Sequence, residues 1–185
     1  TFSGHKFHAV RGVGFVYKKA GKKITPLLTG GGQEKDFRST TENVAGIASM
    51  AKALRLVTDK EEFSLPKIAK MKKIIFDELA KYEDITIFSG EGEDFAPNIL
   101  TFGIKGVRGE VIVHAFEEHQ IYISTTSACS SKAGKPAGTL ISMGVPTKLA
   151  QTAVRISLDD DNDMGQVEQF LTIFKQVYAK TQKVR

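Results

Sequence analysis

A hydroxyl, an imidazole and a lysine amine stand together at the start of the chain, in Ser3-Gly4-His5-Lys6. A lysine that is rigidly placed and partly desolvated can lose its proton and form a Schiff base with an aldehyde cofactor. Neighbouring hydroxyl and imidazole groups can hold a cofactor phosphate. By themselves these residues fit a polar tail with a chance Ser-x-His-Lys better. A second group runs from Gly30-Gly31-Gly32-Gln33-Glu34 to Arg38-Ser39-Thr40-Thr41-Glu42-Asn43. Consecutive glycines let backbone amides approach a ligand or another chain, and hydroxyls before a helix can bind an anion at its N-terminus. A flexible linker with an ordinary N-cap fits the same residues equally well. The third candidate is Cys129, among Thr, Ser, Ala and Lys in Thr125-Thr126-Ser127-Ala128-Cys129-Ser130-Ser131-Lys132. A lone cysteine is usually a small buried hydrophobe, but this segment has nothing large and apolar to bury, which favours a nucleophilic or redox role. The fourth is Arg155, in the otherwise apolar Val154-Arg155-Ile156-Ser157-Leu158. Burying it calls for a partner such as a carboxylate held in the guanidinium fork; an edge strand with the arginine facing water is the competing reading.

The elements that must position these groups follow from pattern. Residues 12–18 read as a strand and 28–38 as a glycine-rich loop. Asn43 is a credible N-cap for a helix to about residue 57. Ser64, with Pro66 in the first turn, starts a second helix whose Leu65, Ile68, Met71, Ile75 and Leu79 share one face. Strands are expected at 85–88, 98–104, 121–124 and 153–158. Helices are expected at 109–119, near 140, at about 148–150 and at 163–180. Residues 125–138 read as a mobile loop. The mix is α+β in the C-terminal two-thirds, with no internal repeat.

Composition narrows the class. The chain has 185 residues, 41% of them apolar and 25% charged, which excludes disordered, collagen-like and low-complexity chains. Lys67, Lys70, Lys72 and Lys73 read as a solvated helix face, and no arginine-rich block with interleaved aromatics accompanies the net charge of +5, so direct nucleic-acid binding is not expected. No apolar run approaches the ~18 residues of a membrane helix, and none resembles a signal peptide. The single cysteine cannot form an intramolecular disulfide, and His5, His8, His114 and His119 show no metal-ligand spacing with it. A reducing, cytoplasmic compartment is expected. The chain opens on Thr1 rather than Met, so a processed chain or a fragment is expected.

Taken in order, Ser3-Gly4-His5-Lys6, Arg11-Gly12-Val13-Gly14, Gly30-Gly31-Gly32-Gln33-Glu34, Arg38-Ser39-Thr40-Thr41-Glu42-Asn43, Ala96-Pro97-Asn98-Ile99-Leu100, Ser127-Ala128-Cys129-Ser130 and Val154-Arg155-Ile156-Ser157 closely resemble cysteine desulfurases of the NifS/IscS type, in the class V aminotransferase family. The resemblance covers essentially the whole chain and matches only the C-terminal half of that family. It implies fold type I of the enzymes that use pyridoxal 5′-phosphate (PLP), an α/β fold with an α+β small domain. Residues 1–59 would be the C-terminal remnant of the large PLP-binding domain, and 60–185 the small domain carrying the cysteine loop. It further implies that Lys6 is the Schiff-base lysine, that Ser3 and His5 contact the phosphate, and that Thr41 reaches the phosphate of the neighbouring subunit's cofactor in a homodimer. Arg155 would grip the substrate carboxylate. Cys129 would take sulfur from L-cysteine as a persulfide, release alanine and deliver the sulfur to an acceptor protein, such as an iron–sulfur scaffold or a tRNA-thiolating enzyme. A selenocysteine lyase, another class V aminotransferase-like enzyme, or an isolated non-catalytic module for dimerisation or acceptor binding are the alternatives. The residues that stack on PLP and pair with its ring nitrogen precede the lysine in the family, so this chain alone is expected to be inactive. The pattern also departs from the family. Thr40, Thr126 and Asp159 stand where glycine is usual, and Ala9-Val10 where Gly-Pro is common. Glycine often fills backbone positions that other residues disfavour, so these changes bear on loop geometry beside the site.

Overall fold

The structure, a computed structural model, describes residues 1–125 and 138–183. The expected loop at 125–138, with Cys129 and Thr126, therefore lies outside the described residues except at its ends. Contacts divide the chain into two compact units, Thr1–Glu62 and Phe63–Arg185.

The first unit begins with strand β1 (Phe2–Ser3), antiparallel to β2 (Gly14–Phe15), with Phe2 facing Phe15 and Ser3 facing Gly14. Pairing is confined to this short ladder, less than the strand expected over 12–18. The Phe2 and Phe15 rings stack with centroids 4.5 Å apart. Between the strands, Gly4–Phe7 make one 3-10 turn, which ends where His8 adopts φ 70°. Gly4 N–H donates to Val13 O at 2.9 Å, and Ala9 N–H donates to Gly4 O at 3.1 Å. A Cβ on Gly4 would lie 3.0 Å from both Val13 O and the Ala9 Cβ, so only glycine fits this crossing comfortably. Lys6 thus sits on a backbone turn tied at both ends.

Helix α1 (Val44–Leu79) starts as expected: Asn43 Oδ1 accepts the Gly46 N–H at 3.0 Å. It does not stop near residue 57. The expected pair of helices is one, with Pro66 inside it. The bridging stretch, with Lys60, Glu61 and Glu62, is exposed and built of good helix formers without glycine, so nothing in it ends the helix. Proline removes one backbone hydrogen bond. The apolar stripe that follows, Ile68, Met71, Ile75 and Leu79, is buried and holds the helix on.

The second unit is a four-stranded antiparallel sheet in the order β3-β4-β6-β5, from β3 (Ile85–Ile87), β4 (Ile99–Ile104), β5 (Ser124–Thr125) and β6 (Ala153–Ser157). Helix α2 (Gly109–Glu117) connects β4 to β5 and leaves room for β6 between them, a split βαβ arrangement. Short helices α3 (Gly138–Ser142) and α4 (Thr147–Ala150) precede β6, and α5 (Met164–Lys183), N-capped by Asp163 Oδ1 on the Gln166 N–H at 2.9 Å, closes the chain. Strand β5 pairs at Ser124–Thr125 rather than at the expected 121–124; Ile121 and Ile123 instead pack against the core.

Alternation sorts the two faces of the sheet. Leu100, Phe102 and Ile104 of β4 and Val154 and Ile156 of β6 meet the apolar stripes of α1, α2 and α5 in one core centred on Phe102, Phe116 and Phe174. The odd-numbered residues face the other way. There α3 and α4 cover only part of the sheet, with Leu140, Ala150 and Ala153 buried against Phe88 and Val145. Among the described residues no helix is long and apolar enough to cross a membrane.

Candidate functional site

Strand β6 puts Arg155 on the face away from the core. Its registered partners are Thr101 on β4 and Ser124 on β5, so the three side chains rise from the same face. Arg155 is half-buried, and its Nε is one of two buried side-chain nitrogens, with His119 Nε2, that lack a hydrogen-bond partner among the described residues. No ion pair to Arg155 exists among the described residues either. Buried polar groups are nearly always satisfied, and a cationic one is costly to leave bare, so an unpaired guanidinium nitrogen here is the mark of a place for an anion. The alternative of an edge strand with arginine facing water fails: β6 lies inside the sheet, flanked by β4 and β5.

In the first unit Ser3, His5 and Lys6 follow one another through the end of β1 and the 3-10 turn, all exposed. Amine, imidazole and hydroxyl are the donor set an aldehyde bearing a phosphate requires, and the turn that carries them is pinned, so these residues fit PLP in kind. Lys6 is exposed, so the partial desolvation expected around it is not supplied by the described residues. Thr41 is also exposed. The loop before it is internally tied. Gln33 Oε1 accepts the Thr40 N–H at 3.3 Å, and the Arg38 guanidinium donates to Thr40 O and Thr41 O at 3.3 and 3.2 Å. Thr40 itself has φ 98°, a region that favours glycine and is rare for a β-branched residue. Asp159 and Ala9, which also stand where the family pattern has glycine, are not at positive φ. Thr126 and Cys129 lie outside the described residues; along the sequence Cys129 follows Thr125, the last residue of β5, by four positions.

The expected solvated lysine face breaks at Lys72. It is 5% exposed, and its Nζ donates to Gly90 O at 3.1 Å and Ala96 O at 2.9 Å, tying down the β3–β4 connection. Burial pushes its pKa below the usual lysine value, against the attraction of Glu91. The signal was in the sequence: Lys72 is four residues after Ile68 and three before Ile75, on the apolar stripe itself. Thr101 and Ser124, the neighbours of Arg155, carry no signal of their own in the sequence, because only strand register brings them together. A separate groove of about 290 Å³, lined in part by Gln120, Tyr122, Ser157, Asn162 and Gln166, contains none of the expected site residues.

Comparison with known proteins identifies the family. The family model for aminotransferase class V matches residues 1–170. A NifS/IcsS protein homolog of Lactobacillus delbrueckii subsp. bulgaricus is 46% identical over 184 residues, which are 100% of this chain and 48% of that protein. The cysteine desulfurase IscS of Dictyoglomus turgidum is 34% identical over 158 residues, covering 85% of this chain and 40% of the relative. Among solved structures, a NifS-like protein superposes with a TM-score of 0.80 at 30% identity, over 96% of this chain and 45% of that one. This chain spans about half the length of the curated relatives it matches. It belongs to the class V aminotransferase family.

Proposed function

We propose that this chain is the C-terminal portion of a homodimeric, PLP-dependent cysteine desulfurase, which converts L-cysteine to L-alanine and passes the sulfur to an acceptor protein. Residues 1–59 belong to its large PLP domain and 60–185 form its small domain. The observation that carries the reading is Arg155: a half-buried guanidinium whose Nε has no partner among the described residues, on the strand paired with the one that leads into the Cys129 segment. Family membership and the cysteine desulfurase names of the relatives support it.

In this reading Lys6 anchors the cofactor through its amine and afterwards moves protons at Nζ. Ser3 and His5 hold the phosphate, and Thr41 reaches the phosphate in the neighbouring subunit. PLP, when bound, supplies an electron-withdrawing ring that eases cleavage of bonds at the substrate's α-carbon and beyond. Arg155 fixes the amino acid by its carboxylate, which sets the sulfur where a thiolate can approach. The Cys129 thiolate attacks the substrate sulfur. An S–S bond forms and the Cβ–S bond breaks; the bonding pair stays with the carbon skeleton, which takes up protons and leaves as alanine. The persulfide then gives its outer sulfur to an acceptor such as an iron–sulfur scaffold or a tRNA-thiolating enzyme. A thiolate that serves two places needs a segment free of core packing, in keeping with the composition around Cys129.

The test is turnover of the complete enzyme with L-cysteine and a thiol acceptor. Equimolar alanine and transferred sulfur are expected, with Lys6→Ala abolishing both. No alanine from the complete enzyme, or turnover undiminished in the Lys6 variant, would overturn the reading. The present chain alone, mixed with PLP and cysteine, is expected to release no alanine.

A further inference from the structure

The outer face of the sheet holds more than one arginine. Thr101 stands directly across from Arg155 on one side, and Ser124 directly across on the other. Directly registered residues carry their side chains on the same face with Cβ atoms about 5 Å apart. Arginine therefore rises between two hydroxyls, on strands whose backbones are fixed by the ladder. Thr101 is held further: its N–H donates to Ser89 Oγ at 2.8 Å. Both residues are half-buried, and neither hydroxyl hydrogen-bonds to the Arg155 Nε, which stays unpartnered among the described residues. The neighbouring part of this face is apolar, walled by Leu140, Ala150 and Ala153. A guanidinium with no carboxylate paired to it among the described residues, flanked by two hydroxyl donors and bordered by apolar surface, is built to receive a small anion with more oxygen lone pairs than the guanidinium alone can satisfy.

We infer that Thr101 and Ser124 are specificity-determining residues that complete the carboxylate site of Arg155, each donating a hydroxyl hydrogen bond to the amino acid's carboxylate. This rests on the assignment of Arg155 as the carboxylate-binding residue and adds the two side chains that make the site selective for a carboxylate over a bare amine. The hydroxyls act on binding, since they sit beside the end of the substrate that does not react.

The experiment uses the complete enzyme with Thr101→Val, Ser124→Ala and Arg155→Ala. It measures kcat and KM for L-cysteine, and the inhibition constant of cysteamine, which keeps the amine and thiol and lacks the carboxylate. Loss of a hydrogen bond to a charged group predicts a rise in KM of about ten-fold for each hydroxyl variant, with kcat changed by less than about two-fold. Cysteamine inhibition should be unchanged in both, and Thr101→Ser should restore the KM. If Arg155→Ala raises KM strongly while the two hydroxyl variants leave it unchanged, the inference is overturned and the role of Arg155 stands. Equal loss of cysteine and cysteamine binding would mean the hydroxyls only support the fold, which also overturns it. A silent Arg155→Ala would remove the carboxylate assignment itself and the inference with it.

Discussion

The two units solve the burial problem differently. In the second, phenylalanines from β4, α2 and α5 meet with almost no exposure, and the apolar stripes of three helices close on one sheet face. In the first, the buried apolar residues among those described are two alanines, Ala9 and Ala53, while Leu27 is 96% exposed and Tyr17, Val44 and Val16 are 60% or more exposed. Burial of apolar surface is the main favourable contribution to folding, so the second unit has the means to fold alone and the first does not. The chemistry divides along the same line. Arg155 stands on a sheet that its own unit holds rigid. Ser3, His5, Lys6 and Thr41 stand on turns that need covering by something else before they form a dry site.

The largest test of that contrast is a matched pair of truncations. Phe174→Ala, at a fully buried position, should cost about 3–5 kcal/mol in urea denaturation of this chain. Leu27→Ala should shift the same measurement by no more than about 0.5 kcal/mol. Equal effects would erase the distinction between the units. Next in size is Lys72→Ala, which strips the ammonium from Gly90 O and Ala96 O and should cost about 1–3 kcal/mol, with faster amide exchange in the β3–β4 connection. Unchanged exchange there would mean the lysine is not what ties that loop.

Glu78 sharpens the contrast through pH. Its side chain is 13% exposed and bonded to Lys81 at 2.6 Å and Lys175 at 3.2 Å, and these partners, Lys81 first, hold its carboxyl below the usual glutamate value. A carboxyl with a lowered folded-state pKa adds stability above its unfolded pKa and loses it as pH falls through the folded value. The second unit should therefore weaken as pH falls below the ordinary glutamate range, and Glu78→Gln should flatten that part of the profile. An unaltered slope in the variant would contradict the pairing. The smallest expected effect belongs to Thr40. At φ 98° a β-branched residue is strained, and Thr40→Gly should stabilise the complete enzyme by about 1 kcal/mol. A destabilised variant would show that the threonine side chain makes a contact worth more than its strain.

Much of this architecture was legible in the sequence. Period-two patterning located β4 and β6, helical spacing located α2 and α5, and Asn43 marked the start of α1. The single long helix was not, because the apolar pattern lapses over an exposed polar stretch and proline usually marks a beginning; only packing of the stripe beyond Pro66 decides that the helix continues. The registered trio of Thr101, Arg155 and Ser124 was hidden for a similar reason. Residues 31 and 54 positions apart become neighbours through strand order, which single-sequence patterning does not reveal. Lys72 is readable from its place on the apolar stripe, against the ordinary expectation that a lysine on a helix is solvated. Ser3, His5, Lys6, Thr41 and Cys129 were legible only as an ordered set of motifs, because each short cluster fits a bland role on its own.

The most direct measurement is the mass of the Cys129-containing peptide from the complete enzyme after a single turnover with L-cysteine, compared with the Cys129→Ala variant. One added sulfur atom is expected on Cys129 in the parent enzyme, no transferable sulfur in the variant, and the PLP absorbance band retained in both. A variant that still passes sulfur to an acceptor, or a parent enzyme that makes alanine with Cys129 unmodified at every time point, would contradict it.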